Sequence, residues 1–396
     1  MDITIYPRVL QGTVQAIPSK SQAHRLLICA AFADRQTELV CPETNQDIEA
    51  TAQCLRALGA DIQRTASGYT VTPAAAVPER AVLLCRESGS TLRFMLPVVG
   101  ALGVDGVFQL EGRLPQRPLS PMWEEMERMG CTLTRPTGST IRCQGRLQSG
   151  QYSIDGGVSS QFITGLLLAA ALIPGGASLI ATGKVESRPY ITMTQKAMGL
   201  FGVSSDNYRV CGQFRSPGTI TVEGDWSNGA FFLAAKALGS SLEVKNLAPD
   251  SPQGDRAAAE LIPGLDKRLT ISAADIPDLV PILSVVAAAK QGAEFTDIGR
   301  LRLKESDRVA TVMAMLEALG IRSEATDSTL RVFPGRFTGG TVDAANDHRI
   351  AMTAAIAATV AQSPVTILGA QCVSKSYPLF WEEYRRLGGN YEQYIR

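Results

Sequence analysis

An internal repeat that runs along all 396 residues constrains the fold more than any other feature of the sequence. In each copy an amphipathic helix pattern ends in Leu-Gly or a close variant, and a strand, a turn and a second strand follow. These helix ends lie at Gly59, Gly130, Gly202, Gly320 and Gly388. Glycine suits the position because it adopts the left-handed conformation with which many helices end. The spacing indicates one supersecondary unit stacked several times.

A second helix pattern, apolar on every side, accompanies the first. The six ranges are 23–33, 92–102, 162–173, 230–238, 279–289 and 350–360. Near the starts of the first four, Arg25, Arg93, Gln161 and Gly229 follow one another at intervals of 68 residues. A helix without a polar face is buried on all sides. We therefore expect a helical interior, with sheets and amphipathic helices at the surface.

The gap between Gly202 and Gly320 is almost twice as long as the other intervals. A shortened copy fits there, around Pro263-Gly264 and a strand at Leu269-Thr270-Ile271. The sequence thus predicts an α/β protein of six repeats, three in each of two domains, with the fourth repeat shortened. The boundary between the domains is expected near Val222–Asp225.

Charge and cysteine content narrow the class of function. Lys+Arg and Asp+Glu are equal at 38 each, which argues against nucleic acid or an anionic membrane as the main partner. The eight cysteines form no CxxC pair and predict reduced thiols without a disulfide framework or metal site. Signal-peptide and bilayer-spanning patterns are missing from the sequence. We expect a cytoplasmic protein that works without a cofactor.

The starts of the apolar helices are polar in a way that packing does not require. Serine, aspartate and asparagine there have an ordinary explanation as N-caps. A cation in the first turn, however, opposes the helix dipole unless an anion binds beside it. Five cations lie at helix starts: Lys20, Arg25, Arg93, Arg308 and Arg349. Repeated violation of a local rule is typical of a functional site, and we expect a cleft for a ligand with phosphate or carboxylate groups.

Residues 300–308 are the densest group of charges in the chain, with six charged side chains between a predicted strand and a helix. Lys304 and Arg308, together with helix N–H groups, suit a polyanion. Glu305, a carboxylate among cations, suits a proton-transfer group. The alternative interpretation is a solvated cluster of ion pairs. Walker and GxGxxG patterns are missing, so the sequence does not support nucleotide binding by those devices.

Eleven short motifs follow one another along the whole chain. They are Pro18–Arg25, Ser88–Arg93, Gln116–Pro118, Val158–Phe162, Ser187–Tyr190, Val222–Asp225, Gln253–Asp255, Ile276–Asp278, Arg302–Arg308, Asn346–Met352 and Lys375–Pro378. In this order they resemble the enolpyruvyl transferase family and, within it, the 5-enolpyruvylshikimate-3-phosphate synthases. The resemblance implies a two-domain inside-out α/β barrel of six βαβαββ-type repeats. Residues 1–12 plus 226–396 would form one domain, and 13–225 an inserted domain.

The resemblance also implies a reaction. The enolpyruvyl group of phosphoenolpyruvate would pass to the 5-hydroxyl of shikimate 3-phosphate by addition and elimination through a tetrahedral intermediate, with release of phosphate. This step belongs to the shikimate pathway, which leads to chorismate and the aromatic amino acids. By the same resemblance the herbicide glyphosate would compete with phosphoenolpyruvate, and the protein would be a monomer.

The site residues implied by the resemblance fall into three overlapping sets. Shikimate 3-phosphate would be held by Lys20, Ser21, Arg25, Ser159, Ser160, Gln161, Ser187, Asp278 and Lys304. Phosphoenolpyruvate would be held by Lys20, Gly89, Arg117, Gln161, Arg308, Arg349 and Lys375. The candidate catalytic residues are Asp278, Glu305, Lys20 and His348. Asp278 would act as a base at the shikimate hydroxyl, and the C3 proton would come from Glu305 with Lys20 or His348.

Two other functions remain open from the sequence. The sister transferase that acts on UDP-N-acetylglucosamine is disfavoured because the Gln116-Arg117-Pro118 loop lacks that family's usual reactive cysteine. A non-catalytic binder of small phosphorylated acids is disfavoured because binding alone would not need Asp278, Glu305 and Lys20 together. Arg300 stands where relatives often have asparagine.

Overall fold

A computed structural model describes residues 1–394 of the chain, and these residues fall into two compact units. The composite unit joins Met1–Ile17 to the chain from Gly224 onward, and the inserted unit is Pro18–Glu223. Both units mix helices and strands. Each has its own hydrophobic core.

The strands are β1 (Asp2–Tyr6), β2 (Gln11–Gln15), β3 (Thr37–Val40), β4 (Asp61–Arg64), β5 (Gly68–Thr72), β6 (Arg80–Arg86), β7 (Asp105–Leu110), β8 (Cys131–Thr134), β9 (Thr140–Gly145), β10 (Gly150–Asp155), β11 (Ala177–Thr182), β12 (Thr219–Thr221), β13 (Ser241–Lys245), β14 (Leu269–Ser272), β15 (Ala293–Thr296), β16 (Ser323–Ala325), β17 (Thr329–Val332), β18 (Gly340–Asp343), β19 (Val365–Leu368) and β20 (Asn390–Tyr394). The α-helices are α1 (Lys20–Ala31), α2 (Gln46–Ala57), α3 (Gly89–Leu102), α4 (Met122–Arg128), α5 (Ser160–Ala170), α6 (Arg188–Leu200), α7 (Trp226–Ala237), α8 (Ala258–Gly264), α9 (Val280–Ala289), α10 (Arg308–Ala318), α11 (His348–Ala358) and α12 (Phe380–Arg386).

One sheet shows the complete repeat. Its strands lie in the order β6-β7-β9-β8, where β6 and β7 are parallel and the remaining pairs are antiparallel. Helix α3 makes the crossover between the parallel strands, as a parallel pair requires. Helix α4 then leads into the β8–β9 hairpin. The sheet β14-β15-β17-β16 has the same pattern of pairing.

Three strands complete sheets that are far from them in sequence. Strand β1 lies between β19 and β20 and pairs with both in antiparallel fashion. Strand β2 pairs in parallel with β13, and β12 pairs in parallel with β3. The chain therefore passes from the composite unit into the inserted unit after β2 and returns after β12.

The domain boundary expected after residue 12 would cut through β2. All five residues of this strand pair with β13, so the strand lies within the composite unit. The unit extends to Ile17, whose carbonyl accepts a hydrogen bond from the Asp225 amide at 2.8 Å. The return crossing lies between Glu223 and Gly224, two residues before the expected position.

Two of the six sheets within residues 1–394 have only two strands. The sheet β13-β2 belongs to the fourth repeat, where the sequence predicts a shortened copy. The predicted strand at Leu269-Thr270-Ile271 forms β14, which pairs with β15 and so belongs to the fifth repeat. The hairpin predicted after Gly202 is wrong, because Ser204 and Cys211 form a single isolated bridge. Asn207 and Tyr208, with φ of 48° and 59°, interrupt the extended backbone there.

The apolar helices are buried as their sequences predict. Every residue of α11 is buried, and so is every residue of α9 from Val280 to Ala288. Helix α3 is buried along almost its whole length. Because their sides are packed, such helices present functional groups mainly at their ends. We therefore expect a functional site at the polar and charged starts of these helices.

Candidate active site

Asp278 is the centre of a charged cluster in the composite unit. One carboxylate oxygen accepts a hydrogen bond from Arg308 Nη1 at 2.6 Å, and the other accepts one from Arg349 Nη2 at 2.8 Å. Lys304 Nζ lies 3.6 Å from the first oxygen. Three cations that the family resemblance assigns to two different substrates therefore meet on one carboxylate.

Arg308 binds two further carboxylates. Its Nη2 donates to Glu305 at 2.7 Å and its Nε donates to Asp347 at 3.0 Å. The side chain is only 1% exposed. A guanidinium with its donors in a fixed plane can serve several carboxylates at once. Arg308 thus fixes the positions of Asp278, Glu305 and Asp347 relative to one another.

Helix starts hold this cluster in place. Arg308 is the first residue of α10, which Asp307 caps, and Asp278 lies two residues before α9. Asp347 caps α11 by accepting a hydrogen bond from the Arg349 amide at 3.0 Å. The same carboxylate accepts hydrogen bonds from Arg308 and from the Ser306 hydroxyl. One buried aspartate therefore connects the starts of two helices.

The segment before α11 has a strained backbone. Ala345 and Asn346 have φ angles of 49° and 56°, values that residues other than glycine seldom adopt. Lys375 Nζ donates to the Asn346 carbonyl at 3.0 Å and so supports this turn. His348, the first residue of α11, is buried. Strain of this kind is typical of functional sites.

Burial and charge shift the pKa values in this cluster in different directions. Burial alone would raise the pKa of Asp278, but Arg349, Lys304 and Arg308 hold it well below its usual range. Burial lowers the pKa of Lys304 to about 8, although Asp278 acts in the opposite direction. Near neutral pH the ligand-free cluster therefore holds an ionised Asp278 and a mostly protonated Lys304.

The inserted unit holds a different kind of cation. Arg25 is fully buried, and its donors go to the Thr194 hydroxyl at 2.8 Å, to the Thr164 hydroxyl at 3.3 Å and to two backbone carbonyls. The guanidinium also lies over the ring of Phe94 at 5.0 Å. Among residues 1–394 no carboxylate forms an ion pair with it. Burial lowers the pKa of Arg25 to about 10, so the charge persists at neutral pH.

Gln161 and Arg117 lie beside a second pair of helix starts in this unit. Gln161 Oε1 accepts from Arg93 Nη1 at 2.7 Å, and Gln161 Nε2 donates to the Ser90 hydroxyl at 2.9 Å. These bonds join the start of α5 to the start of α3. A Cβ atom on Gly89 would lie 2.5 Å from Arg117 Nη1. The absence of a side chain at position 89 therefore lets the Arg117 guanidinium lie against the start of α3.

A sequence model described as EPSP synthase (3-phosphoshikimate 1-carboxyvinyltransferase) matches residues 6–270 and 266–384 of the chain. The chain belongs to the EPSP synthase family. The 3-phosphoshikimate 1-carboxyvinyltransferase of Clostridium beijerinckii is 34% identical over 431 aligned residues, which cover 99% of each chain. That of Clostridium kluyveri is 34% identical over 422 residues, covering 99% of this chain and 98% of the relative.

Solved structures show the same fold as this EPSP synthase family member. EPSP synthase from Acinetobacter baumannii aligns with a TM-score of 0.79 at 22% identity, over 99% of this chain and 100% of that one. The enolpyruvyl transferase NikO from Streptomyces tendae aligns with a TM-score of 0.76 at 20% identity, over 99% and 98%. The predicted two-domain α/β fold and the predicted family are both confirmed.

In the family member's composite unit, the predicted site residues lie close together. Asp278, Lys304, Glu305, Arg308 and Arg349 form one network of ion pairs. His348 and Lys375 lie at the start of α11 and beside the turn before it. The arrangement differs from the expected one in a single respect. The cations that were expected to await an anion already bind carboxylates.

Besides Gly89 at the start of α3 and Arg117 beside it, the predicted residues of the inserted unit lie at three helix starts. Lys20 and Ser21 begin α1, where Lys20 Nζ forms an ion pair with Asp47 at 3.0 Å. Ser159 caps α5, and Ser160 is the first residue of that helix. Ser187 precedes α6 with φ of 54°, and its carbonyl accepts from the Tyr190 amide. Tyr190 in turn bonds Arg25 through its carbonyl, which links the starts of α1 and α6.

Sequence reasoning missed Asp347, Asp255 and the threonines around Arg25. Asp347 was interpreted only as an N-cap, a sufficient role for an aspartate that starts a helix. Burial, followed by repulsion from Asp278, raises the pKa of Asp255 to about 7. The only sequence signal for Asp255 is its place in the Gln253–Asp255 motif. Thr164 and Thr194 carry no signal, because a buried threonine in a helix has no periodic or charge pattern.

Two further findings bear on the class of protein. Among the described residues, no group of histidine, cysteine, aspartate and glutamate side chains could hold a metal ion. No helix between residues 1 and 394 is long and apolar enough to cross a membrane.

Proposed function

We propose that this protein transfers the enolpyruvyl group of phosphoenolpyruvate to the 5-hydroxyl of shikimate 3-phosphate and releases phosphate. Membership of the EPSP synthase family along nearly the whole chain carries the proposal. The charged helix starts supply the chemistry that two phosphorylated acids need. As preorganised donors, they would stabilise the charge that develops on the leaving phosphate.

Arg25 supports an anionic ligand in the inserted unit. A buried charge costs several kcal/mol unless it is paired, and the described part of the chain gives Arg25 only neutral partners. An anion beside Ser21 and Arg25 would supply the missing charge. By motif this anion belongs to shikimate 3-phosphate, with Ser159, Ser160, Gln161 and Ser187 contributing neutral donors.

The motifs assign phosphoenolpyruvate to Gly89 and Arg117 of the inserted unit and, separately, to the cations of the composite unit. Its phosphate and carboxylate would take donors of Arg308 and Arg349 that now bind Asp278. Asp278 would lose part of its cationic surroundings, and its pKa would rise towards its ordinary value. Substrate binding would thus convert a weak base into a stronger one at the shikimate hydroxyl.

Glu305 is the group we favour for the proton at C3. It shares Arg308 with Asp278, since Nη2 binds Glu305 and Nη1 binds Asp278. One guanidinium therefore positions both carboxylates, as a reaction with two proton transfers needs. By the motif assignment, Lys20 or His348 would act together with Glu305.

A coupled assay of phosphate release tests the proposal. With phosphoenolpyruvate and shikimate 3-phosphate together we expect turnover, and with either alone we expect none. Asp278→Asn keeps the shape of the side chain and should lower kcat by about 100-fold or more. Asp266→Asn, in an exposed carboxylate of the same unit, is the matched control. Release with UDP-N-acetylglucosamine instead would favour the sister transferase. Binding of both acids by calorimetry without any release would refute catalysis.

A further inference from the structure

A buried hydrogen-bond chain runs through three helices of the inserted unit. His24 Nδ1 in α1 lies 2.7 Å from the Thr51 hydroxyl in α2. Thr51 Oγ1 lies 2.7 Å from the Thr91 hydroxyl in α3, and Thr91 Oγ1 lies 2.8 Å from the Ser88 hydroxyl. We call Thr51, Thr91 and Ser88 the hydroxyl chain. All three and His24 are buried, with at most 1% of any side chain exposed.

His24 is neutral at physiological pH. Burial, and then the charges of Lys20 and Arg25, lowers the pKa of its imidazole well below the ordinary value. A neutral imidazole carries one N–H, on either Nδ1 or Nε2. Nε2 has no hydrogen-bond partner among residues 1–394. Because buried donors are left unpaired less often than buried acceptors, the proton belongs on Nδ1, where it bonds Thr51.

A proton on Nδ1 gives the hydroxyl chain a direction. His24 donates to Thr51, and Thr51 donates to Thr91. Thr91 donates to Ser88 at 2.8 Å in preference to its other acceptor, the Asp47 carbonyl, at 3.4 Å. The Ser88 oxygen also caps α3 by accepting from the Thr91 amide at 3.2 Å. Both lone pairs of this oxygen are then occupied. Its own hydrogen has no acceptor within the described part of the chain.

The donor that remains lies at the proposed phosphoenolpyruvate site. Ser88 is the residue immediately before Gly89, whose missing side chain lets Arg117 Nη1 lie against the start of α3. A helix start such as that of α3 also favours an anion through the N–H groups of its first turn. The unused O–H of Ser88 therefore lies among donors that favour a phosphate or a carboxylate.

We propose that His24 is a positioning residue that, through the hydroxyl chain, presents the Ser88 hydroxyl as a hydrogen-bond donor to phosphoenolpyruvate. This inference rests on the proposed function, since that function names the ligand. His24 touches no substrate. It sets the direction of the chain, and the chain sets which way the Ser88 hydrogen points.

Substitution of Thr51 tests the inference in the middle of the chain. Thr51→Val keeps the shape and removes the hydroxyl, whereas Thr51→Ser keeps the hydroxyl and removes a methyl group. We expect Thr51→Val to raise KM for phosphoenolpyruvate about tenfold, the value of one hydrogen bond to a charged group. KM for shikimate 3-phosphate should change far less, and Thr51→Ser should stay close to the wild type.

Thr37→Val is the matched structural control. It removes another fully buried hydroxyl of the inserted unit, which bonds Ser216 at 2.8 Å and lies outside the chain. We expect a lower Tm in this variant and an unchanged KM for either substrate. If Thr51→Val lowers Tm in the same way but moves neither KM, or both KM values equally, the inference is overturned.

A second pair of variants applies if Thr51→Val does not fold. His24→Asn retains a side-chain N–H donor for Thr51, and His24→Phe removes it. The phosphoenolpyruvate KM should remain low in the first and rise in the second; equal values would overturn the inference. A wild-type protein without turnover would overturn the proposed function as well, whereas an active wild type with an unaffected Thr51→Val would overturn only the hydroxyl chain.

Discussion

Arg25 and Arg308 are both buried arginines at helix starts, yet their surroundings are opposite. Arg308, in the composite unit, binds the carboxylates of Asp278, Glu305 and Asp347. Arg25, in the inserted unit, has hydroxyls, carbonyls and an aromatic ring as its described partners. Sequence reasoning treats them alike, as cations that oppose a helix dipole. The structure separates them by the charge of their neighbours.

The difference indicates two ways to prepare a site for an anion. Around Arg308 the charge is balanced in the ligand-free protein, so an anionic ligand would have to exchange with carboxylates already in place. Around Arg25 no carboxylate among residues 1–394 compensates the charge, and under the proposed function the ligand would supply the balance. The first arrangement favours stability of the ligand-free protein and would couple binding to the ionisation of Asp278. The second lowers the stability of the ligand-free protein and would raise its affinity for an anion.

Removal of Arg308 should have the largest effect. Arg308→Met leaves three carboxylates close together without their shared cation, and we expect a loss of about 3–5 kcal/mol in the free energy of unfolding. Activity should fall below detection. Urea denaturation and the phosphate-release assay measure the two effects. Arg322→Met, which breaks an exposed pair with Glu324, should cost no more than about 1 kcal/mol. Equal stability losses in both variants would contradict the balanced-charge interpretation.

Removal of Arg25 should separate stability from binding. Arg25→Met deletes an uncompensated buried charge, so the free energy of unfolding should fall by less than about 2 kcal/mol. The kcat/KM for shikimate 3-phosphate should nevertheless fall by about 100-fold, because the anion loses its buried partner. A stability loss as large as that of Arg308→Met, with kcat/KM little changed, would show that Arg25 is structural.

Lys304 makes the balanced cluster sensitive to pH. Its pKa of about 8 in the ligand-free protein means that the ammonium group loses its proton as pH rises through that value. The charged form is the one that binds an anion, so the apparent affinity for shikimate 3-phosphate should decrease by about tenfold per pH unit well above pH 8. Lys304→Arg stays protonated and should remove this decrease. A pH profile of KM that is identical in both proteins would contradict the prediction.

Substitution of Gly89 should have the smallest effect. In Gly89→Ala the added Cβ would meet the Arg117 guanidinium, a flexible group that can move aside. We expect KM for phosphoenolpyruvate to rise by roughly 5- to 20-fold, a cost of about 1–2 kcal/mol. KM for shikimate 3-phosphate should change less. Equal changes in both KM values would place Gly89 outside the phosphoenolpyruvate site.

Many residues of the candidate site could be predicted because they lie in charged helix starts and short motifs, which are local sequence patterns. The cations lie in the first turns of predicted helices, where a positive charge opposes the helix dipole, and such positions can be recognised from the sequence alone. The motifs also follow one another in a fixed order along the chain. The partners of these cations could not be predicted. Asp278 and Arg349 are 71 residues apart, and no sequence pattern near either residue indicates that the two side chains pair. Asp347 was not predicted as a site residue because a role as helix N-cap already accounted for an aspartate at that position.

The sequence by itself determined the six repeats, the buried helices and the identity of the charged helix starts. Hydrophobic periodicity and glycine positions are local properties, so they can be followed along the chain without knowledge of the fold. Only the tertiary structure decided which strands complete which sheet, as in the pairing of β12 with β3. It also decided that carboxylates surround Arg308, whereas Arg25 has only neutral partners among residues 1–394. Coulomb energies depend on distance in space, and the residues that set these two environments come from several separate segments.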